Sequence, residues 1–304
     1  TWLKVYYVRY TLILNSLMKS QKTNKSIFDK LFKDSTLEEY VNVFPNKSGS
    51  HGYDAWGFNI RNMKNNMRFT RYLYNKFFKV EAFGLENIPK EGRCLIIANH
   101  SGQLPIDGIL IGYALITNPN GARAPKAMIE RFLPSVPFIG NWLSSVGAVI
   151  GDPTNCERML DNEEAIVVFP EGVRGSNKLY KHKYQLQRFG SGFMHLAMEK
   201  NTPIIPVGIV GMEENIRSYA DIKPLAKILG MPVAPLVLPY FFPSKVYIHF
   251  GEPMHFDNSV VKEADIIARV DQVKNTINNL LEIGLAKRNA YYADLKTETN
   301  NKHQ

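Results

Sequence analysis

Cysteine is nearly missing from this 304-residue chain, which carries only Cys94 and Cys156. Two cysteines are too few for a disulfide framework and have no metal-ligand spacing, so a reducing compartment and two small core side chains are expected. Also missing is an apolar run long enough to span a bilayer. The longest uncharged apolar stretch, Ile228 to Ser244, is broken by Pro232, Pro235, Pro239 and Pro243 and falls short of the roughly 20 residues a spanning helix needs. No signal peptide is legible, and the first residue is Thr1 rather than Met, which leaves room for an upstream anchor. There is no Gly-x-Ser-x-Gly elbow, no Gly-x-x-x-x-Gly-Lys phosphate loop and no His-Glu-x-x-His pair, and Gly190-Ser191-Gly192 lacks a third glycine and a strand before it. Metal-assisted, nucleotide-hydrolysing and dinucleotide chemistries therefore drop out. His51, His182, His195, His249, His255 and His303 are scattered along the chain, and none is given a ligand role.

What is present reads as a folded protein: 45% hydrophobic residues, with 17 Phe and 15 Tyr, argue against disorder. The excess of 37 basic over 28 acidic residues, a net charge of +9, favours anionic partners such as nucleic acid, phospholipid headgroups or phosphorylated cofactors. No nucleic-acid reader module is recognisable, so nucleic acid is not an expected partner.

Residues 1–60 form an extension expected to be partly helical, with Ser35 and Glu38 at capping-box spacing and a Gly/Ser/Pro-rich joint from Pro45 to Gly52. Arg61 to Lys79 has the pattern of an amphipathic helix. Met63, Met67, Leu73 and Phe77 lie among Arg61, Lys64, Arg68, Arg71, Lys76 and Lys79 without an acidic residue, a face suited to an anionic surface. Strands are then expected near 80–84, 93–98, 124–129, 146–150, 165–169, 204–210 and 245–250. Helices are expected near 106–117, 153–163, 189–200 and 263–283. This alternation argues for an α/β fold in which a mixed, largely parallel sheet is flanked by helices. Ile266, Val270, Val273, Ile277 and Leu281 give the last helix a core-facing stripe, and 291–304 is expected to be a polar tail.

Two motifs carry chemistry. Arg93 to Ala98 reads as a buried strand, and the break at Asn99 puts His100 just past its carboxyl end, where α/β folds gather ligand sites. Six residues lie between His100 and Asp107, which sits after Pro105 at a helix start. There it either turns back to orient His100 or serves only as an N-terminal carboxylate complementing the helix dipole. Phe169-Pro170-Glu171-Gly172-Val173-Arg174 follows a second apolar strand. Arg174 suits an anionic group of a substrate and Gly172 permits close backbone approach; a buried structural Glu171–Arg174 pair is the alternative. Beyond it Lys178, Lys181, His182 and Lys183 form an acid-free basic stretch, either a landing strip for phosphates or a solvated loop.

These motifs resemble the glycerolipid acyltransferase family, the 1-acylglycerol-3-phosphate acyltransferase-like lysophospholipid acyltransferases. Asn99-His100 with Asp107 is similar to the family's first signature, Phe169 to Gly175 to its third, and Ile204-Ile205-Pro206-Val207 to its fourth. Lys178-Leu179-Tyr180, Tyr184 to Gly190 and Pro243 to Pro253 also resemble it, so the likeness covers about residues 80–255. The gap from His100 to Asp107 is longer than the family's usual one. The second signature usually ends in an Arg that holds an acceptor's phosphate, whereas Gly147 to Asp152 offers Asp152 and no Arg.

The resemblance implies an acyltransferase domain over 61–290 and transfer of a fatty acyl group from acyl-CoA or acyl-carrier protein to a hydroxyl of a lysophospholipid or related glycerolipid. It makes His100 the general base with Asp107 as partner, assigns Ser101, Glu171, Gly172, Arg174, Lys178 and Pro206 to the substrate site, and needs no metal or cofactor. It also implies peripheral residence on the cytoplasmic face of a membrane. Two other readings keep the same residues: a catalytically silent lipid-binding protein, and a hydrolase or transacylase using the same dyad.

Overall fold

The computed structural model describes residues 52–101, 106–131, 133, 139–176, 178–215, 218–221, 235–237, 244–257 and 262–301. The helical expectation for the extension up to residue 51 and most of the proline-broken stretch near 228–244 lie outside them.

Strands β1 (Glu81–Phe83), β2 (Cys94–Ala98), β3 (Pro125–Ile129), β4 (Ala148–Ile150), β5 (Ala165–Val168), β6 (Ile204–Val210) and β9 (Tyr247–Phe250) build one seven-stranded sheet in the order β1-β9-β6-β2-β5-β3-β4. Every pairing is parallel except β6 with β9. A separate antiparallel pair joins β7 (Ser218–Asp221) and β8 (Pro235–Val237). The central strands Cys-Leu-Ile-Ile-Ala and Ile-Ile-Pro-Val-Gly-Ile-Val are buried throughout, the unbroken apolar runs of strands covered on both faces. Pro206 is tolerated inside β6 because it stands where the antiparallel ladder stops. Regular pairing with β9 begins at Val207, and the Pro206 carbonyl accepts from Gly251 N at 2.8 Å, so no ladder donor is missed.

The helices are α1 (Ile60–Tyr72), α2 (Ile106–Ile116), α3 (Ile139–Ser145), α4 (Pro153–Asp161), the single turn α5 (Val173–Ser176), α6 (Gly192–Glu199) and α7 (Glu263–Asn301). The basic segment expected to be one helix over 61–79 is α-helical to Tyr72 and continues as a π turn, Leu73–Phe77. Asn59 caps α1, its side chain accepting from Asn62 N, which satisfies an otherwise orphan donor. Helix α7 buries Ile266, Val270, Val273, Ile277 and Leu281, the expected stripe. It also runs on to Asn301, so most of the stretch expected to be a polar tail is helix. After Gly284 no glycine or proline interrupts it, and Leu, Ala, Lys and Arg propagate a helix without a buried face.

One charge lies deep in the sheet. Lys126 of β3 is fully buried, ion-paired with Asp54 and 4.7 Å from the centroid of the Phe58 ring. Asp54 also accepts from the amides of Trp56 (2.8 Å) and Phe58 (2.9 Å), so it folds its own loop while neutralising the lysine. Removing one partner of a buried pair strands the other charge. Asp54→Ala is therefore expected to lose about 3–5 kcal/mol in a denaturant titration, and Lys126→Met much less, because an apolar side chain of similar length needs no counter-ion.

Candidate active site

In a sheet whose strands run parallel, the residues that follow each strand gather at one edge. Here the edge collects Asn99 and His100 after β2, Phe169 to Gly172 after β5, Glu130 after β3, and Gly151 with Asp152 after β4. Asn99 is buried and locks the end of β2 to β6: its Nδ2 donates to Ile209 O (3.1 Å) and its Oδ1 accepts from Ile209 N (2.7 Å). His100 is thereby launched from a fixed point.

The chain turns back so that His100 Nδ1 stands 2.6 Å from Asp107 Oδ2. Asp107 is buried in the first turn of α2, and its carboxylate also accepts from Ser101 N (3.0 Å) and Gly108 N (2.8 Å). An ionised carboxylate only accepts, so Nδ1 carries a proton, and in the neutral ring Nε2 keeps its lone pair. The ring stacks on Phe169, centroids 4.6 Å apart. Ser101 serves through its backbone amide; its Oγ is buried and has no hydrogen-bond partner among the described residues.

Glu171 is buried and divides its carboxylate between two backbone amides, His100 N (2.9 Å) and Gln187 N (2.8 Å). It therefore holds the histidine's main chain. Arg174 is exposed on α5, and no acidic group among the described residues pairs with it, so the structural Glu171–Arg174 pair is not formed. Helix α5 packs so tightly beneath the histidine that a Cβ on Gly175 would lie 2.5 Å from Glu171 Cβ and 3.0 Å from His100 Cβ. Gly172 adopts φ +54°, a left-handed conformation that suits glycine, and the Glu130 carboxylate lies over it.

Lys178 departs from the expectation of a phosphate-binding surface lysine. Its side chain is 4% exposed, with Nζ 3.0 Å from Glu213 Oε1 and 3.8 Å from Glu171 Oε2. A buried ammonium persists only where carboxylates compensate it, and those partners occupy this one. Lys181 and Lys183 remain exposed. Pro206 lies in the strand interior rather than on the cavity wall. Asp152, at the position where the second signature usually has an Arg nearby, caps α4 by accepting from Thr154 N and receives Arg131 at 2.9 Å.

His100 and Asp107 open on a cavity of about 410 Å³. Its wall is mostly apolar: Met63, Met67 and Leu73 from the α1 side, Tyr113 and Ile116 from α2, and Phe193 from α6 among them. The sequence suits α1 to an anionic surface; its Met63 and Met67 are buried and help form this slot. Glu130 also lines the cavity and went unnoticed. Its only signal is a carboxylate directly after a strand, which means little until the strand order is known.

The family model described as Acyltransferase matches residues 79–210. An uncharacterized protein of Mycobacterium tuberculosis is 33% identical over 262 residues, covering 81% of this chain and 73% of that protein. A human protein named DGAT1/2-independent enzyme synthesizing storage lipids is 26% identical over 208 residues, 66% of this chain and 60% of that protein. The crystal structure of the 1-acyl-sn-glycerophosphate acyltransferase PlsC from Thermotoga maritima superposes with a TM-score of 0.50 at 20% identity, over 72% of this chain and 79% of that one, a shared fold. This chain belongs to the acyltransferase family. It is an acyltransferase built on the mostly parallel sheet described above.

The electrostatics of the dyad are testable without substrate. Burial opposes charging the His100 ring, but the Asp107 charge and hydrogen bond, with Glu171 behind, outweigh burial and the opposing Lys178, so its pKa is raised above the ordinary histidine value. Since the folded pKa exceeds the unfolded one, the pair's stabilisation is complete below about pH 6.5 and lost as pH rises through the folded value. An imidazole NMR titration should place the His100 midpoint above the ordinary value. It should fall in Glu171→Gln, which removes an attracting charge, and rise in Lys178→Met, which removes a repelling one.

Proposed function

We propose that this acyltransferase moves a fatty acyl group from a thioester, acyl-CoA or acyl-carrier protein, to a hydroxyl of a lysophospholipid or related glycerolipid at a membrane surface, with His100 as general base. The observation that carries this reading is the 2.6 Å His100–Asp107 contact on the wall of an apolar cavity of about 410 Å³. Nε2 accepts the proton of the lipid hydroxyl as its oxygen bonds to the thioester carbonyl carbon. Asp107 steadies the imidazolium, and the intermediate collapses with cleavage of the C–S bond as the proton passes to the departing thiolate. The products are an ester and a free thiol, with no acyl-enzyme. The name of the human relative, an enzyme synthesizing storage lipids, supports a lipid acceptor.

A positioned general base contributes about 10²–10⁴ in rate. His100→Ala is expected to reduce thioester-dependent acyl transfer by at least that range while circular dichroism stays native. Asp107→Asn should lose nearly as much, because an amide can hold the ring in the wrong tautomer. A labelled thioester supplied with and without acceptor lipid separates the alternatives: ester formation supports the proposal, release of free acid marks a hydrolase, and no reaction a silent binder.

Peripheral membrane attachment is supported by α1 and its neighbour α3. Among the described residues no helix is long and apolar enough to cross a membrane. Phe69 is 62% exposed and Tyr72 and Trp142 are also exposed, near the exposed cations Arg61 and Arg68. Aromatic rings at headgroup depth beside cations attracted to anionic lipid, each worth about 1 kcal/mol, make a peripheral contact on the cytoplasm-facing side. Sedimentation with anionic vesicles should weaken as salt rises, and Arg61→Glu with Arg68→Glu should weaken it further. Binding indifferent to both would remove α1 from this role.

A further inference from the structure

The charges that line the cavity have one sign. Besides His100, the lysine, arginine and carboxylate side chains in its wall reduce, among the described residues, to Asp107, Glu130 and Asp152; no lysine or arginine is there. Asp107 is committed to His100 and two amides. Glu130 forms no ion pair among the described residues, its sequence neighbour Arg131 pairing with Asp152 instead, and its Oε1 lies 3.2 Å from where a Cβ on Gly172, next in sequence to Glu171, would stand. Asp152 receives Arg131, whose side chain is 74% exposed and outside the wall; the pair leaves no guanidinium facing inward. In sheet order β2-β5-β3-β4, the edge therefore runs from His100 past Gly172 to Glu130 and then Asp152.

We propose that the acceptor offered to His100 is an uncharged acylglycerol, a mono- or diacylglycerol hydroxyl, and that Glu130 and Asp152 act against an acceptor bearing a phosphate. This rests on the acyl-transfer reading above and narrows it. A phosphate monoester carries about −1.5 to −2 charges at neutral pH. Setting it beside the Glu130 carboxylate, and near Asp152, whose charge the exposed Arg131 offsets from outside the wall, is opposed by like-charge repulsion, whereas a glycerol hydroxyl meets no such repulsion. Selectivity here comes from a repulsive element as much as an attractive one. The donor escapes the same penalty because its phosphates lie at the far end of a long arm from the thioester, and the exposed cations Arg174 and Lys181 stand outside the cavity. In the step itself the acceptor oxygen gains the acyl carbon, the C–S bond breaks, and the hydroxyl proton leaves through His100 to the thiolate. The product is a di- or triacylglycerol and a free thiol.

The test uses the purified full chain in phosphatidylcholine–detergent mixed micelles with labelled palmitoyl-CoA and, in parallel, palmitoyl acyl-carrier protein. Acceptors are monoacylglycerol, diacylglycerol, lysophosphatidate and lysophosphatidylcholine at equal mole fraction. kcat/KM for the better uncharged acylglycerol should exceed that for lysophosphatidate by at least about tenfold, which corresponds to about 1.4 kcal/mol. Glu130→Gln and Asp152→Asn should each narrow that ratio, and Glu130→Lys should narrow it most. A preference for either phosphate-bearing lipid overturns the proposal and leaves acyl transfer standing, as does a ratio unmoved in all three variants. Transfer to no acceptor overturns both. If a variant fails to fold, the wild-type acceptor ranking decides alone.

Discussion

The hydrogen bond between His100 Nδ1 and Asp107 Oδ2 determines which ring nitrogen the cavity meets, and most of the surrounding structure exists to keep it in place. The two residues belong to different elements, the end of β2 and the first turn of α2. Asn99 pins the strand end to β6, the Ser101 and Gly108 amides fix the carboxylate, and Glu171 reaches across from the end of β5 to hold the histidine's own amide. A rotation of either partner would leave a buried carboxylate short of donors, at about 1–3 kcal/mol per unmet group. The geometry is over-determined, and the proposed role of His100 as a base that meets a substrate hydroxyl within hydrogen-bond reach sets that condition.

The cavity explains a conflict between two sequence-level demands on α1. Its acid-free run of cations calls for an anionic surface, yet an amphipathic helix must also bury its apolar stripe. The structure divides the faces: Met63 and Met67 are buried in the slot wall, Phe69 lines the slot while staying 62% exposed, and Tyr72, Arg61 and Arg68 are exposed. One helix thus separates an apolar interior from a cationic, aromatic exterior, the arrangement that the proposed passage of a lipid from bilayer to His100 calls for. Methionine is suited to the inner face because its unbranched, polarizable side chain adapts to a flexible hydrocarbon.

The seven strands of the main sheet were legible because each is a short apolar run bounded by turn residues, and because alternation with helices implies parallel order. The short α3, the single turn α5 and the β7–β8 pair were not, since a few residues carry too little periodicity. The dyad was readable in part. The family resemblance names His100 and Asp107 as partners, but the residues alone leave Asp107 equally able to serve only the helix dipole, and a loop with Gly102 and Pro105 does not reveal whether it closes. Charge was the least legible property. Lys178 looked like its neighbours Lys181 and Lys183, and Glu171 looked like a partner for Arg174, until the tertiary fold placed Glu213 against the lysine and two backbone amides against Glu171. Local sequence records that a charge is present; which charge meets it depends on residues dozens of positions away.

That long-range matching extends through the site to the C-terminal helix. Lys178 lies between Glu171 and Glu213, and Glu213 also accepts from Tyr184 N at 2.8 Å. The Tyr184 hydroxyl donates to Glu214 while accepting from Gly211 N, and Arg288 of α7 lies 3.4 Å from Glu214. Burial, with repulsion from Glu171, pushes the Glu213 pKa up despite Lys178; burial and Glu214 push Tyr184 up as well. A network of this kind is weak evidence for stability, because desolvation offsets most of its attraction. Its value is positional: the contacts among Glu171, Lys178, Glu213 and Tyr184 hold one another in place, and with them the main chain of His100.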